Sequence, residues 1–182
     1  MIETDRLVLR RPREADLTSL CAAVNALGII NNTGRIPWPY RRDDAIGYLR
    51  RAAENRRGEL NLLIIRKDRP DEVAGGIGYG ADATMPSAEI GYWLAEAGWG
   101  RGYGLEAARA ITEQAFAVAG FERLTASYRH GNEASRRILD RLGFRLVGHG
   151  HGWNAGLKRH VPVARLELGR REWQRLAWTG VR

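Results

Sequence analysis

The sequence is poor in cysteine and has no long apolar run, and these absences exclude several classes of protein. Only one of its 182 residues is cysteine, so no disulfide can form within the chain. Cys21 falls in a helical pattern between Leu20 and Val24, which indicates a buried apolar role and not a nucleophile. No apolar stretch approaches the roughly 18 residues of a membrane span. The first residues lack the basic-then-apolar pattern of a signal peptide, so we expect a soluble, cytoplasmic protein.

Patterns of metal ligands and of nucleic-acid binding are also scarce. His149 and His151 could chelate an ion, but no third ligand accompanies them at a recognisable spacing. The alternating Gly148, Gly150 and Gly152 indicate a flexible turn at this place. Zinc-finger spacing and aromatic RNA-binding signatures are missing from the sequence. We therefore expect no metal, and no nucleic acid as the main ligand.

Positive charge, in contrast, is in excess. The chain has 29 Lys and Arg against 21 Asp and Glu, a net charge of +8. Such a surplus is compatible with a nucleic-acid surface, with an acidic partner, or with arginine on solvated faces. Pairs such as Arg10-Arg11 and Arg136-Arg137 are scattered along the sequence, with no single basic tail.

Hydrophobic periodicity predicts one domain over residues 1–182, because 44% of the chain is hydrophobic and no segment is typical of a linker. The fold class we expect is α+β, with a mixed, mostly antiparallel sheet and helices on both faces. Predicted strands cover residues 6–10, 60–66, 73–79, 88–94, 124–128 and 161–168, with another starting at Phe144. Predicted helices cover residues 16–25, 43–57, 105–119, 132–142 and 170–178, and an ordered loop covers residues 31–40.

A glycine-rich segment joins the strand at residues 88–94 to the helix that follows. It reads Gly100-Arg101-Gly102-Tyr103-Gly104, and we call it the glycine loop. Alternate glycines let successive backbone N–H groups point into one concavity, and the helix adds the positive end of its dipole. This arrangement predicts a phosphate or pyrophosphate site, although such loops also serve as plain connections.

The same segment also fits a dinucleotide fingerprint, G-x-G-x-x-A, from Gly102 to Ala107. That fingerprint expects an acidic residue at the end of the next strand. Glu122 instead precedes the strand at residues 124–128, so we disfavour a dinucleotide site.

Two motifs in the correct order resemble the GNAT N-acetyltransferase superfamily. One is Ala88-Glu89-Ile90-Gly91-Tyr92-Trp93-Leu94 followed by Trp99, the glycine loop and Glu106-Ala107. The other is Asn132-Glu133-Ala134-Ser135 followed by Gly143-Phe144. The opening, Thr4 to Arg10, is similar to the RimJ/RimL-like branch, and the resemblance extends from Thr4 to about Trp173.

The resemblance implies a coenzyme A site, with acetyl-CoA as co-substrate. Pantetheine would enter a V-shaped opening between the strands at residues 88–94 and 124–128. The family's contacts would then fall on the backbone of Trp93 and Leu94, the N–H groups from Gly100 to Leu105, and the side chains of Asn132 and Ser135. Trp99 stands where the family usually has Gln or Arg, which removes one polar contact.

The resemblance also implies direct acetyl transfer to a primary amine without a metal. Members with a glutamate in a similar setting use it as the base, so Glu89 is our candidate. A carboxylate here is also common as a solvated or salt-bridged strand residue. Leu139 replaces the tyrosine that many members use as general acid, and Ser135 is the candidate donor instead, unless it only bonds backbone. We read Glu106, in the first helical turn, as structural.

The acceptor is the least determined part of the prediction. Trp38 and Tyr40 lie in the loop at residues 31–40 and either line the acceptor pocket or cap the core. The acceptor could be a protein N-terminal amine, acidic or ribosome-associated, or a small-molecule amine. His149 and His160 are reserve candidates for the base. The alternative function is a non-catalytic acyl-CoA-binding module. For the oligomeric state we expect a monomer or a homodimer.

Overall fold

A mixed sheet of eight strands forms the middle layer of the described protein. The structure, a computed structural model, describes residues 1–54, 56, 58–81 and 86–178. The strands are β1 (Ile2–Glu3), β2 (Leu7–Arg10), β3 (Glu59–Arg66), β4 (Arg69–Ala81), β5 (Ser87–Leu94), β6 (Arg123–Arg129), β7 (Arg145–Asn154) and β8 (Arg159–Gly169). Their order across the sheet is β1-β2-β3-β4-β5-β6-β8-β7. Pairing is parallel between β5 and β6 and antiparallel between the other neighbours, which confirms the predicted fold class.

Helices cover both faces of this sheet. They are α1 (Leu17–Val24), α2 (Leu27–Asn32), α3 (Arg42–Ala53), α4 (Tyr103–Glu113), α5 (Glu133–Leu142) and α6 (Arg170–Trp178). The larger core lies between the sheet and the pair α4 and α5, around residues such as Ile111, Leu124 and Leu139. A smaller core joins α1 and α3 to the other face of β3 and β4. Within the described ranges no helix is long and apolar enough to cross a membrane.

Two segments differ from the prediction. Residues 27–32 form α2 although the sequence indicated the end of a helix near Gly28 and a loop from Asn31, because Ile29 and Ile30 become buried. The expected flexible turn around Gly148 and Gly150 is wrong, since these residues belong to β7 and pair with β8. The helix predicted for residues 43–57 ends at Ala53, and Arg57 lies outside the described residues.

A buried ion pair fixes the start of α1 against the end of β2. Arg10 donates from Nη1 and Nη2 to the two carboxylate oxygens of Asp16, each at 2.7 Å. The Arg13 N–H donates to the same carboxylate at 2.7 Å. Burial alone would raise the pKa of Asp16, but the hydrogen bonds from Arg10 and Arg13 outweigh it and lower that pKa below its ordinary value. The ionised form of Asp16 therefore stabilises the folded chain.

We expect Asp16→Asn to lower the free energy of unfolding at pH 7 by about 3 kcal/mol, because it leaves the partly buried Arg10 without a charged partner. A group with a lowered pKa stabilises the fold above its unfolded value and loses that effect as pH falls. The difference between variant and parent should therefore shrink below about pH 4, near the unfolded pKa of Asp. Urea unfolding at several pH values measures it, with the exposed Asp71→Asn as control. Equal losses in both variants would contradict the expectation.

Candidate active site

The parallel strands β5 and β6 separate after three residue pairs. They pair from Ser87 and Arg123 to Glu89 and Thr125, and no further pair joins them in the described sheet. Beyond this point β5 remains paired with β4 as far as Leu94. The strands thus leave a V-shaped opening, as predicted, with one edge of β5 facing it.

The glycine loop lies at the open end of β5. Gly100 and Gly102 have φ of 72° and 81°, which L side chains rarely adopt. A Cβ at Gly100 would meet no atom within 4 Å, so this side of the loop is open. A Cβ at Gly104 would lie 2.8 Å from Ile138 of α5, so this glycine allows close packing of the two helices. Conformation requires the first two glycines, and packing requires the third.

The start of α4 presents backbone donors at this loop. Gly102 is the N-cap residue and provides no side-chain hydrogen bond to the first turn. The N–H groups of Tyr103, Gly104 and Leu105 have no partner inside the helix, because the carbonyls they would need precede it. Together with the dipole of α4 they form a positive site suited to a phosphate group.

An ion pair between Glu106 of α4 and Arg6, which precedes β2, ties the glycine loop to the N-terminal segment. Glu106 accepts hydrogen bonds from Thr4 Oγ1 at 2.6 Å, Arg6 N at 2.8 Å and Arg6 Nε at 2.7 Å. Arg6 Nη1 also donates to the carbonyl of Arg101 at 2.9 Å, and its guanidinium lies 4.7 Å from the ring centre of Tyr103. Burial alone would raise the pKa of Glu106, but the hydrogen bonds from Thr4 and Arg6 lower it. These contacts agree with the structural role predicted for Glu106.

Tyr92 of β5 contacts the start of α5 across the opening. Its hydroxyl lies 3.0 Å from Oγ of Ser135. Asn132 Oδ1 accepts from the Ser135 N–H at 3.1 Å and so caps α5. Burial raises the pKa of Tyr92 to about 12 against the opposing effect of this hydrogen bond, so the phenol stays neutral near pH 7. Our reasoning from the sequence missed Tyr92, although strand alternation places it on the same face as Ile90 and Leu94.

Glu89 lies on the opposite face of β5, where the two strands separate. Its exposed carboxylate accepts from Ser127 Oγ at 3.3 Å and forms an ion pair with Arg35 Nη2 at 3.4 Å. The Arg35 side chain is 89% exposed, so this pair contributes little stability and exchanges easily with another cation.

A pocket of about 350 Å³ opens beside Glu89 on this face. Ser127, Val163, Arg165 and Glu167 also line it. Trp38 and Tyr40, the predicted acceptor residues, are not among its lining residues. Instead Tyr40 packs against the smaller core, and burial raises its pKa to about 12. Trp38 is 39% exposed and precedes a cis peptide bond to Pro39.

The remaining candidates have more limited contacts. The Trp93 side chain packs against the smaller core, and its backbone lies opposite Gly76 of β4 in the sheet. The carbonyl of Leu94 accepts a 2.9 Å hydrogen bond from Trp99 Nε1. His149 Nδ1 lies 3.0 Å from His130 Nε2.

Among the residues that the structure describes, no group of three or more His, Cys, Asp and Glu could hold a metal ion.

Comparison with known proteins gives the same family as the motifs. The family model described as an acetyltransferase (GNAT) domain matches residues 6–145. An uncharacterized N-acetyltransferase of Bacillus subtilis, YoaA, is 30% identical over 152 residues, which cover 81% of this chain and 84% of that protein.

Solved structures share the fold at lower identity. The ribosomal-protein-S5-alanine acetyltransferase of Vibrio fischeri is 16% identical with a TM-score of 0.80, covering 94% of this chain and 97% of that one. RimJ of Mycobacterium smegmatis in complex with CoA-disulfide is 22% identical with a TM-score of 0.78, covering 96% and 89%. At this identity the two structures support the fold alone.

We expect Glu106→Gln to weaken coenzyme A binding roughly tenfold, because the loss of a charge-assisted hydrogen bond costs about 1.5–3 kcal/mol and loosens the loop. The effect should fall on the KM for the coenzyme and not on kcat, since the Glu106 carboxylate acts on the loop through Arg6, which bonds the carbonyl of Arg101. Isothermal titration calorimetry with coenzyme A measures it directly. Glu113→Gln, an exposed change on the same helix, is the matched control. Unchanged affinity in Glu106→Gln would show that the ion pair does not position the loop.

Proposed function

The chain belongs to the GNAT acetyltransferase family, and on that premise we propose that it transfers an acetyl group from acetyl-CoA to a primary amine by direct attack. The opening between β5 and β6, which ends at the donors of the glycine loop, is the observation that carries this proposal. A linear ligand with a diphosphate at one end and a thioester at the other suits that shape. The thioester supplies an already activated acyl group when bound.

The chain's own groups would hold the coenzyme in three places. The N–H groups from Gly100 to Leu105 would bind the pyrophosphate, with α4 adding its dipole. The backbone at Trp93 and Leu94 would pair with the amides of the pantetheine arm. Asn132 uses Oδ1 to cap α5, so Nδ2 is the part of its side chain available to that arm.

Glu89 would accept the proton that the amine must lose. An amine is largely an ammonium ion near pH 7, and only its neutral form attacks a carbonyl carbon. The ammonium would replace Arg35 beside Glu89, because both are cations and the Arg35 pair is exposed. Glu89 would take the first proton from the ammonium, directly or through a water molecule, before the neutral amine attacks the thioester carbon. As the N–C bond then forms and the C–S bond breaks, the second proton lost by the nitrogen would pass through solvent to the leaving thiolate, which becomes the thiol of coenzyme A.

Tyr92 and Ser135 would stabilise the leaving thiolate. Ordinary thiols have a pKa of about 8.5, whereas burial raises the pKa of Tyr92 to about 12. The phenol would therefore donate a hydrogen bond to Ser135 and leave the serine hydroxyl to donate to sulfur. This pair provides the support that Leu139, an apolar residue, cannot give.

The acceptor that we propose is a primary amine, either at a protein N terminus or on a small molecule. Glu89 at the fork of the strands suits a cation such as a protein N-terminal amine or a small-molecule amine. Two similar folds carry names of ribosomal-protein acetyltransferases, from Vibrio fischeri and Vibrio cholerae. These names support testing N-terminal peptides first.

We expect Glu89→Gln to lower kcat about 100-fold, within the range for loss of a general base. Its coenzyme A affinity should match the parent, since Glu89 lies on the other face from the glycine loop. Glu72→Gln removes another strand carboxylate with an arginine partner and serves as control. Steady-state rates with N-terminal peptides, with products identified by mass spectrometry, measure both variants. A rate equal to the parent would remove Glu89 from the mechanism.

We expect Ser135→Ala and Tyr92→Phe each to lower kcat about five- to tenfold, the effect of one hydrogen bond. The two hydroxyls act as one unit. The factor by which the double variant lowers kcat should therefore be no more than about twice the factor for either single variant. A double-mutant cycle on kcat measures this coupling. Fully multiplicative losses would show that the hydroxyls act independently.

The same assays separate an enzyme from a non-catalytic acyl-CoA-binding module. A binding module would retain tight coenzyme A binding while no amine in the panel became acetylated, and Glu89→Gln would change nothing measurable. Detection of an acetylated product that depends on Glu89 excludes that alternative.

A further inference from the structure

The sheet face that carries Glu89 is shaped by glycines on β7. Because strand residues alternate between faces, Gly148, Gly150 and Gly152 share one face. A Cβ at Gly148 would meet nothing within 4 Å, and one at Gly152 would meet Val163 at 3.3 Å. Side chains from β8 can therefore lie over β7, and the pocket beside Glu89 remains open toward that edge of the sheet.

Arg165 of β8 occupies the space over Gly150. A Cβ at Gly150 would lie 3.1 Å from Arg165 Nη2 and 3.2 Å from its Cζ. Arg165 pairs with Ser127 across β6 and β8, and it lines the same pocket as Glu89. The guanidinium thus forms one wall of the pocket, and the absence of a side chain at Gly150 permits its position.

Arg165 also differs from the other charged groups of this pocket in its partners. Glu89 is paired with Arg35 at 3.4 Å, and Glu167 with Arg123 at 3.5 Å. In the described part of the chain, no hydrogen bond or ion pair engages the Arg165 guanidinium. A guanidinium binds carboxylates with two parallel hydrogen bonds, so Arg165 is a ready site for an anion.

The spacing sets the length of the molecule that could reach both groups. Glu89 and Arg165 lie two strands and two residues apart, which places their Cα atoms roughly 12 Å apart at ordinary strand spacing. An extended peptide covers about 3.3–3.6 Å per residue. A peptide whose N-terminal amine is at Glu89 would pass the Cα of Arg165 at its third or fourth residue, and the guanidinium lies further on, over Gly150.

We propose that Arg165 binds a carboxylate of the acceptor, so that the preferred acceptors carry a carboxylate as well as the primary amine, with a separation that spans from Glu89 to the Arg165 guanidinium. This inference rests on the proposed function and adds the anionic group to the acceptor. The carboxylate belongs to an acidic peptide N terminus or to a small amino acid of that length. The net charge of +8 favours the approach of either one.

Matched acceptors that differ in charge alone test the inference. One pair is an N-terminal peptide with Glu or Gln at its third and fourth positions, and the other is an ω-amino acid and its carboxamide, tested at several chain lengths from about 12 Å upward. We expect the protein to prefer the carboxylate member by about tenfold or more in kcat/KM, as one charge-assisted hydrogen bond provides. Preference in the peptide pair alone identifies a peptide acceptor, and preference in the other pair alone identifies a small one.

Three variants connect that preference to Arg165. Arg165→Met should bring the ratio of the two rates close to one. Gly150→Ala should reduce the ratio as well, because its Cβ displaces the guanidinium, whereas Gly148→Ala, with open space around its Cβ, should keep it. Thermal unfolding verifies that all three variants fold.

Two results would overturn the proposal in distinguishable ways. Equal rates for both members of each pair, unchanged in Arg165→Met, would refute the carboxylate site and leave the acetyltransferase proposal intact. Absence of acetylated product from every acceptor would refute the proposed function, and this inference with it.

Discussion

The early separation of β5 from β6 is the constraint on which the rest of the site depends. Two parallel strands that stop pairing after Glu89 and Thr125 expose backbone hydrogen-bonding groups that a closed sheet would satisfy. The separation is maintained from both sides, because β5 stays paired with β4 and β6 stays paired with β8. The opening is therefore a consequence of sheet topology, and a ligand with amide groups can complete the unpaired edge.

The glycine loop depends on contacts far from it in sequence. Its positive φ values are local and follow from Gly100 and Gly102. Its attachment to the fold is not local, since Arg6 bonds both Arg101 and Glu106. A loop held in advance loses less conformational freedom when it binds a diphosphate, which favours binding. The segment between β1 and β2 thus positions the glycine loop, where we propose that the pyrophosphate binds.

The sequence predicted what short-range chemistry determines and missed what distant contacts determine. Asn132 and Gly143 were recognisable as the caps of α5, because capping uses residues within one turn. Tyr92 was missed because its partner, Ser135, lies 43 residues away. The glycines of β7 indicated flexibility, but they are strand residues, and only the pairing with β8 shows what their missing side chains leave open. Tyr40 could belong to the pocket or the core, and long-range packing placed it against the core.

Strand alternation explains how one element could serve both proton-handling steps of an acetyl transfer. Glu89 and Tyr92 are three residues apart on β5, so their side chains lie on opposite faces of the sheet. Glu89 faces the open half of the sheet with the pocket of about 350 Å³, while Tyr92 faces α5. The amine would lose its proton on one face, and the sulfur would gain a hydrogen bond on the other. Separate groups can then each keep the protonation state that its own step requires, which a single residue could not do.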